Sequence, residues 1–179
     1  GLEMSRIAVM GSAFNPPSLG HKDVVEQALK QCDQVWLVPA FRHAWGKKMA
    51  AYQQRCEMVD LFVQDIADPR VSLCSIEHEI ASDKPVYSYD LLAALQARIQ
   101  TDDQLLLVIG PDNAASFDKF HRAADIQQRW QLLVVKERVS MRSTKIRTAL
   151  QQHKSITKMT TARVADYLST HPVYAEISS

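Results

Sequence analysis

Residues 11–21 read Gly-Ser-Ala-Phe-Asn-Pro-Pro-Ser-Leu-Gly-His, and this stretch separates two different periodicities. The residues before it, Ile7–Met10, form a short apolar run that is typical of a strand buried on both faces of a parallel sheet. After it, apolar residues recur at helical spacing, at positions 24, 25, 28 and 29. The stretch is therefore predicted to connect a buried strand to an amphipathic helix.

The residue types in this connection suit the binding of an anion. Gly11 and Ser12 allow the backbone to approach a ligand closely, whereas Pro16 and Pro17 prevent a helix from starting before them. His21 falls in the first helical turn, where unpaired N–H groups and the helix dipole favour a phosphate. Connections of similar composition also occur in α/β proteins that bind nothing there, so the pattern by itself leaves both interpretations open.

Further apolar runs along the chain alternate with helical patterns, and they lie at Val35–Val38, Val71–Ile76, Leu105–Ile109 and Leu132–Val135. Helices are predicted between them over Tyr52–Ile66 and Tyr87–Ile99. This alternation predicts an α/β fold with a doubly wound, Rossmann-like parallel sheet and helices on both faces. A small helical C-terminal extension is expected over about residues 143–174. In such a sheet ligands gather beyond the carboxyl ends of the strands.

Composition limits the class of protein. The chain has 179 residues, 46% of them hydrophobic, and its 21 Lys and Arg nearly balance its 20 Asp and Glu. We expect one domain over residues 4–179, with residues 1–3 left over from cloning, and neither a nucleic acid nor a membrane as a partner. The cysteines, Cys32, Cys56 and Cys74, lack the spacing of a disulfide framework or a zinc site. We therefore expect a cytoplasmic location. We also expect that no protein side chains serve as metal ligands.

A second polar stretch, Ser143–Arg147, begins a helical pattern that continues through Leu150. Ser143 or Thr144 suits the N-cap, and Arg147 follows about one turn later. A helix start that carries a hydroxyl and a guanidinium group is a suitable phosphate site. The alternative for this segment is an ordinary capped helix at the surface.

Together the two stretches resemble the signatures of the nucleotidylyltransferase superfamily, in its nicotinate mononucleotide adenylyltransferase branch. The first signature, Gly-Gly-Thr-Phe-Asp-Pro-x-His-x-Gly-His, is matched at Gly11, Phe14, Pro16, Gly20 and His21. The second, Ser-Ser-Thr-x-Ile-Arg, is matched at Ser143, Thr144, Ile146 and Arg147. Ser18 stands where that family carries its first histidine, or a threonine in some relatives. The stretches 87–92, 108–122 and 164–174 resemble further sequence segments of the same family.

The resemblance implies which residues bind ATP. It assigns catalytic roles to Ser18, His21 and Arg147, with Ser18 and His21 at the α-phosphate and Arg147 at the β- and γ-phosphates. The residues implied to bind ATP are Gly11, Ser12, Ala13, Phe14, Asn15, Gly20, Gly110, Asp112, Ser143 and Thr144. For Asp112 the alternative role is a helix N-cap. Mg²⁺ is expected to arrive on the ATP phosphates, without a dedicated set of protein ligands.

The pyridine-nucleotide side is assigned to Trp45, Lys47, Ser88 and Phe120. Phe120 and Trp45 offer aromatic faces to a pyridine ring, Ser88 offers hydrogen bonds to its carboxylate or amide, and Lys47 offers a cation to the mononucleotide phosphate. The alternatives are a partly buried loop anchor for Trp45 and a solvated surface position for Lys47.

The reaction that the resemblance implies is attack by the 5′-phosphate of nicotinate or nicotinamide mononucleotide on the α-phosphorus of ATP. Such a reaction needs alignment and stabilisation of charge but no protein nucleophile. Ser18 can donate only a neutral hydrogen bond, which favours a competing hypothesis: a paralogue of low or no activity that binds nucleotide as a regulatory module. A transferase that acts on another phosphorylated small molecule is a further alternative.

Overall fold

A parallel sheet forms the centre of the computed structural model, which describes residues 4–42 and 48–175. The strands are β1 (Arg6–Ser12), β2 (Gln34–Pro39), β3 (Val71–Leu73), β4 (Gln104–Ile109) and β5 (Gln131–Val134). Their order across the sheet is β3-β2-β1-β4-β5, and each neighbouring pair is parallel. This order and the helices on both faces confirm the doubly wound, Rossmann-like fold.

Helices connect the strands and extend the chain beyond the sheet. They are α1 (Leu19–Leu29), α2 (Tyr52–Ile66), α3 (Glu77–Ile80), α4 (Ser88–Gln96), α5 (Pro111–Ala115), α6 (Ala123–Arg129), α7 (Ser143–Gln151) and α8 (Ala162–Thr170). A short 3₁₀ helix covers Phe117–Lys119. The last two α-helices lie in the predicted C-terminal part. Within the described ranges, no helix is long and apolar enough to cross a membrane.

The central strand, β1, has buried side chains on both faces. Ile7 and Val9 pack into the core on the side of α4 and α6, whereas Ala8 and Met10 pack into the core on the side of α1, α2, α7 and α8. Successive side chains of a strand point to opposite faces, so a strand covered on both faces must be apolar at every position. The apolar run before residue 11 therefore reflects the position of β1 in the middle of the sheet.

Some predicted boundaries were wrong. The strand predicted over Val71–Ile76 ends at Leu73, because Ile76 already has helical backbone angles and precedes α3. The helix predicted over Tyr87–Ile99 is shorter and covers Ser88–Gln96. By contrast, the helix predicted over Tyr52–Ile66 has those bounds in the structure.

Candidate functional site

The loop from Ala13 to Ser18 follows β1 at the carboxyl edge of the sheet, and side chains from distant parts of the chain hold its backbone. Each of the following bonds joins a side-chain donor to a loop carbonyl: Arg55 to Ala13 at 2.8 Å, Arg147 to Asn15 at 2.8 Å, Ser143 to Pro16 at 2.6 Å and Thr160 to Pro17 at 2.8 Å. A loop with two prolines has few N–H groups of its own, so its carbonyls need partners from elsewhere. The loop conformation therefore depends on α2, α7 and the segment before α8.

Ser18 begins α1 as its N-cap. Its hydroxyl accepts the backbone N–H of His21 at 3.3 Å, and the Nδ1 atom of His21 in turn accepts the backbone N–H of Ser18 at 2.9 Å. This reciprocal pair is a capping box in which a histidine takes the place of the usual Glu or Gln. The Ser18 hydroxyl also donates to the Met141 carbonyl at 3.2 Å, and only 1% of the residue is exposed. Its hydroxyl is thus used to start the helix and to hold the segment before α7.

The capping box determines the protonation of the His21 ring. A backbone N–H can only donate, so Nδ1 must be an acceptor and the proton of the neutral ring lies on Nε2. Nε2 lies 3.1 Å from the Ser12 hydroxyl and donates to it. The Phe14 ring covers one side of the imidazole, with a centroid distance of 4.7 Å. Burial lowers the pKa of His21 from 6.5 to about 4, so the ring is a neutral hydrogen-bond donor at pH 7.

Gly20 is required by packing. A Cβ atom at this position would lie 2.2 Å from the Met141 carbonyl oxygen, which is closer than real Cβ atoms approach backbone. The first turn of α1 and the segment before α7 therefore touch directly at Gly20. Gly110 differs, because a Cβ there would meet no atom within 4 Å. Its missing side chain leaves open space beside the carboxyl end of β4.

The second signature lies where α7 begins, but its cap differs from the prediction. Ser143 or Thr144 was predicted as the N-cap, whereas Arg142 occupies that position and no side chain caps the helix. The reason is tertiary: the Ser143 hydroxyl donates to the Pro16 carbonyl and is not available to its own helix. Arg147 donates from Nη1 to Asn15 and from Nη2 to the Thr144 hydroxyl, at 3.1 Å. Thr144 is exposed, and Arg147 is half-buried.

A first pocket of about 410 Å³ opens between the starts of α1, α5 and α7. Its lining includes Ser18, Gly20, His21, Gly110, Asp112 and Ser143, all of them predicted site residues. Asp112 is exposed and lies in the first turn of α5, and Gly110 is the N-cap of that helix. The alternative role of Asp112 as an N-cap is therefore wrong.

A second pocket of about 270 Å³ lies at the beginning of the loop after β1, whereas the first pocket lies at its end. It is lined by Gly11, Ser12 and Ala13, and also by the predicted pyridine-side residues Ser88 and Phe120. Ser88 opens α4, and no side chain caps that helix start. Gly11, Ser12 and Ala13 were predicted to bind ATP, yet they line this second pocket and are absent from the lining of the first.

Four other predicted site residues in the described part of the chain, Phe14, Asn15, Thr144 and Arg147, do not line either pocket. The side chains of Phe14 and Asn15 are buried, and the Asn15 side-chain oxygen accepts the Ala50 N–H at 3.1 Å. Trp45 and Lys47 lie outside the described residues. A larger cavity of about 800 Å³ between the end of α7 and α8 is lined by none of the predicted site residues. Among residues 4–42 and 48–175, no group of three or more His, Cys, Asp or Glu side chains could hold a metal ion.

Sequence reasoning missed an ion pair beside the first pocket. The Arg138 guanidinium binds both carboxylate oxygens of Asp23, at 3.0 and 2.7 Å, and Gln27 donates to the same carboxylate at 2.9 Å. The Arg138 hydrogen bonds lower the pKa of Asp23. Asp23 and Arg138 both line the first pocket. An acidic residue on the inner side of α1 was the available signal, but the partner could be found only in the folded chain.

Arg55 and Glu77 were also missed, and both are buried. Arg55 donates from Nε to the Ala50 carbonyl at 2.8 Å and from Nη1 to Ala13 at 2.8 Å and Ala40 at 2.7 Å. Glu77 accepts the Phe41 N–H at 2.9 Å and lines the second pocket. Burial lowers the pKa of Arg55 and raises the pKa of Glu77 to about 7. An arginine on the apolar face of α2 was the sequence signal for the first of them.

The sheet order, and the two pockets at the carboxyl edge at the two ends of the loop after β1, define a Rossmann-like α/β protein with candidate ligand sites where this class of fold binds its ligands. The family model described as "Cytidylyltransferase-like" matches residues 9–177, and the chain belongs to this family. The predicted resemblance to nucleotidylyltransferases is thereby confirmed, and an enzyme of the nucleotidyltransferase type is supported.

Individual relatives agree with this family. A curated protein from Anaeromyxobacter dehalogenans (strain 2CP-C), named "Probable nicotinate-nucleotide adenylyltransferase", is 29% identical over 185 residues, which cover 94% of this chain and 96% of that protein. A solved structure named "Putative Nicotinate-nucleotide Adenylyltransferase", from Vibrio parahaemolyticus, is 40% identical with a TM-score of 0.83, and the match covers 93% of this chain and 99% of that one.

A more distant structure shares the fold. The Plasmodium falciparum nicotinic acid mononucleotide adenylyltransferase complexed with NaAD is 14% identical, with a TM-score of 0.75 over 95% of this chain and 97% of that chain. At this identity the likeness concerns the fold alone. The side-chain roles that the family resemblance implies therefore remain predictions.

Proposed function

We propose that the protein transfers the adenylyl group of ATP to the 5′-phosphate of nicotinate or nicotinamide mononucleotide, a step of NAD biosynthesis, and releases pyrophosphate. The observation that carries the proposal is the position of two pockets at opposite ends of the loop from Ala13 to Ser18, with a hydrogen bond between His21 of one pocket wall and Ser12 of the other. A transfer between two nucleotides needs adjoining sites with a phosphate-binding group between them. The names of the relatives support the same reaction class.

In this proposal the first pocket holds ATP and the second holds the acceptor mononucleotide. An acceptor phosphate oxygen forms a bond to the α-phosphorus, the bond from that phosphorus to the oxygen of the β-phosphate breaks, and pyrophosphate leaves. The acceptor phosphate is already ionised at neutral pH, so no protein base has to remove a proton. The chain contributes alignment and hydrogen bonds to the phosphates.

His21 is proposed to donate a hydrogen bond from Nε2–H to an α-phosphate oxygen, in place of its present bond to the Ser12 hydroxyl. Ser12 accepts from His21 and from the Phe14 N–H, which leaves its hydroxyl hydrogen for the acceptor phosphate. Thr144 and Arg147 are proposed to contact the β- and γ-phosphates, which reach the start of α7. Mg²⁺ bound to these phosphates would neutralise their charge, and we propose no protein cage for it.

The pyridine ring is proposed to lie between Phe120 and the first turn of α4. Ser88 and the uncapped N–H groups of that turn can donate hydrogen bonds to a carboxylate or an amide oxygen. An aromatic side chain such as Phe120 can stack on the ring. Trp45 and Lys47 remain predicted contacts of the acceptor.

The proposal is tested by incubating the protein with ATP, Mg²⁺ and either mononucleotide, and by measuring both pyrophosphate and the dinucleotide. The His21→Ala variant should lose most of the activity, because it removes the donor between the pockets. His153→Asn serves as a control, since His153 is exposed and lies just after the C-cap of α7. The proposal is rejected if the wild type releases no more pyrophosphate than the His21→Ala variant with either mononucleotide.

One observation favours a second candidate, a nucleotide-binding module without efficient turnover. Ser18 is buried in the helix cap and brings no charged side chain to the first pocket. Such a protein should bind a non-hydrolysable ATP analogue in calorimetry but form no dinucleotide. A panel of other phosphorylated acceptors in the same assay tests the third alternative, a different small-molecule substrate.

A further inference from the structure

The peptide bond between Ala40 and Phe41, just beyond the end of β2, is held from both sides by two buried ionisable side chains. Its carbonyl accepts a hydrogen bond from Arg55 Nη1 at 2.7 Å, and its N–H donates to Glu77 Oε1 at 2.9 Å. Only 1% of Arg55 and 5% of Glu77 is exposed. The two side chains are therefore linked through one peptide group.

A contribution to stability alone is a poor explanation for the burial of these two ionisable side chains. Removal of a charged group from water carries a penalty that a buried pair often fails to recover, and well-packed apolar residues can replace such pairs without loss. Here the guanidinium also bonds to the Ala13 and Ala50 carbonyls, so several backbone segments depend on it. A buried guanidinium that holds several backbone carbonyls beside a pocket indicates that it maintains the geometry of the pocket wall.

The bonds lead from one pocket wall to the loop after β1. Glu77 lines the second pocket, and it holds Phe41. Arg55 holds the same peptide and also the carbonyl of Ala13, the residue that follows Ser12. Ser12 and Ala13 line the second pocket as well. A continuous path of hydrogen bonds thus joins the Glu77 wall to the loop that carries Ser12.

We propose that Glu77, acting through the Ala40–Phe41 peptide and Arg55, is a positioning residue for the acceptor: it sets the distance between one wall of the second pocket and the loop that carries Ser12. This inference rests on the proposed function, in which the second pocket holds the mononucleotide. ATP occupies the first pocket, which Glu77 does not line. A change at Glu77 should therefore affect the two substrates unequally.

The test compares Glu77→Ala and Glu77→Gln with the wild type. In Glu77→Ala the KM for the mononucleotide should rise about tenfold or more while the KM for ATP stays within about twofold, as expected when only one substrate is mispositioned. Glu77→Gln should recover most of the loss, because its amide oxygen still accepts the Phe41 N–H. The matched control is Glu79→Ala, on the same short helix, where Glu79 is exposed and paired with Arg98 at 2.9 Å.

A second readout does not depend on turnover. Hydrogen exchange should accelerate at residues 40–42 and 12–14 in Glu77→Ala but not in Glu79→Ala. Equal rises in both KM values, no rescue by Gln, or unchanged exchange at these residues in a folded Glu77→Ala would each overturn the inference. If the wild type itself releases no pyrophosphate, the proposed function is rejected. Accelerated exchange in Glu77→Ala would in that case still support the structural path from Glu77 to Ala13.

Discussion

The Nε2 atom of His21 lies 3.1 Å from the Ser12 hydroxyl, and the two residues line different pockets. His21 belongs to the first turn of α1, and Ser12 is the last residue of β1. The hydrogen bond therefore crosses the boundary between the proposed ATP and acceptor sites. A hydrogen-bond donor at this boundary lies where negative charge develops when one phosphate attacks another.

His21 should titrate far below the usual range of histidine. NMR titration of the ring in the ligand-free protein is expected to give a pKa of about 4, because burial disfavours the imidazolium. The folded-state pKa is lower than the unfolded value of 6.5, so the neutral ring contributes stability above pH 6.5 that is lost as the pH falls through about 4. The wild type should therefore lose more stability than His21→Asn between these pH values. A measured pKa of 6.5 or above would contradict this.

Ser18 should matter for stability through its cap. The Ser18→Ala variant should lower the free energy of unfolding by about 1 kcal/mol, as other N-cap deletions do, measured by urea unfolding. Ser116→Ala is a suitable control, because the Ser116 hydroxyl makes a local hydrogen bond that is exposed to solvent, to the Asp112 carbonyl at 3.1 Å. Equal losses in the two variants would argue against the cap.

Ser18→His separates stability from activity. The family resemblance predicts faster pyrophosphate release, since histidine restores the usual residue, whereas the buried cap predicts a less stable protein. We expect a variant that turns over faster and unfolds at a lower urea concentration than the wild type. A rate that is unchanged or lower would show that the loop differs from that of the family.

Gly20 and Gly110 form a pair of opposite cases. Gly20→Ala should destabilise the protein by about 1–3 kcal/mol, because its Cβ would collide with the Met141 carbonyl and force backbone to move. Gly110→Ala should fold normally, because its Cβ has open space, but the added methyl group enters the first pocket and should raise the KM for ATP. Thermal unfolding and substrate kinetics on both variants check this contrast. A stable, fully active Gly20→Ala protein would contradict it.

Arg147 is predicted to act on the loop and on the phosphates. Arg147→Met should reduce kcat/KM by roughly 100-fold, because it removes both a cation and the bond to the Asn15 carbonyl. Arg147→Lys should restore part of the rate by keeping the charge. Arg98→Met is the control, since Arg98 is exposed and pairs with Glu79. Similar kinetics in the Arg147→Met and Arg98→Met variants would exclude a role for Arg147.

Local pattern was sufficient for most of the fold. The apolar run before residue 11 and the helical spacing after residue 21 predict β1 and α1, because strand and helix periodicities are properties of short segments. The same holds for Tyr52–Ile66. The short strand β3 was harder, since an apolar run carries no signal that it ends at Leu73 and turns into α3.

The sequence by itself determined the parallel α/β fold, the loop after β1 and the start of α7 as its two signature segments, because these depend on residues close together in the chain. Only the tertiary structure decided what their side chains do. Ser143 suits a helix cap but bonds to Pro16, and Ser18 faces the helix and Met141. Arg55 and Glu77 meet only across the Ala40–Phe41 peptide. Such partners lie far apart in sequence, and a local pattern does not record which buried polar groups will satisfy one another.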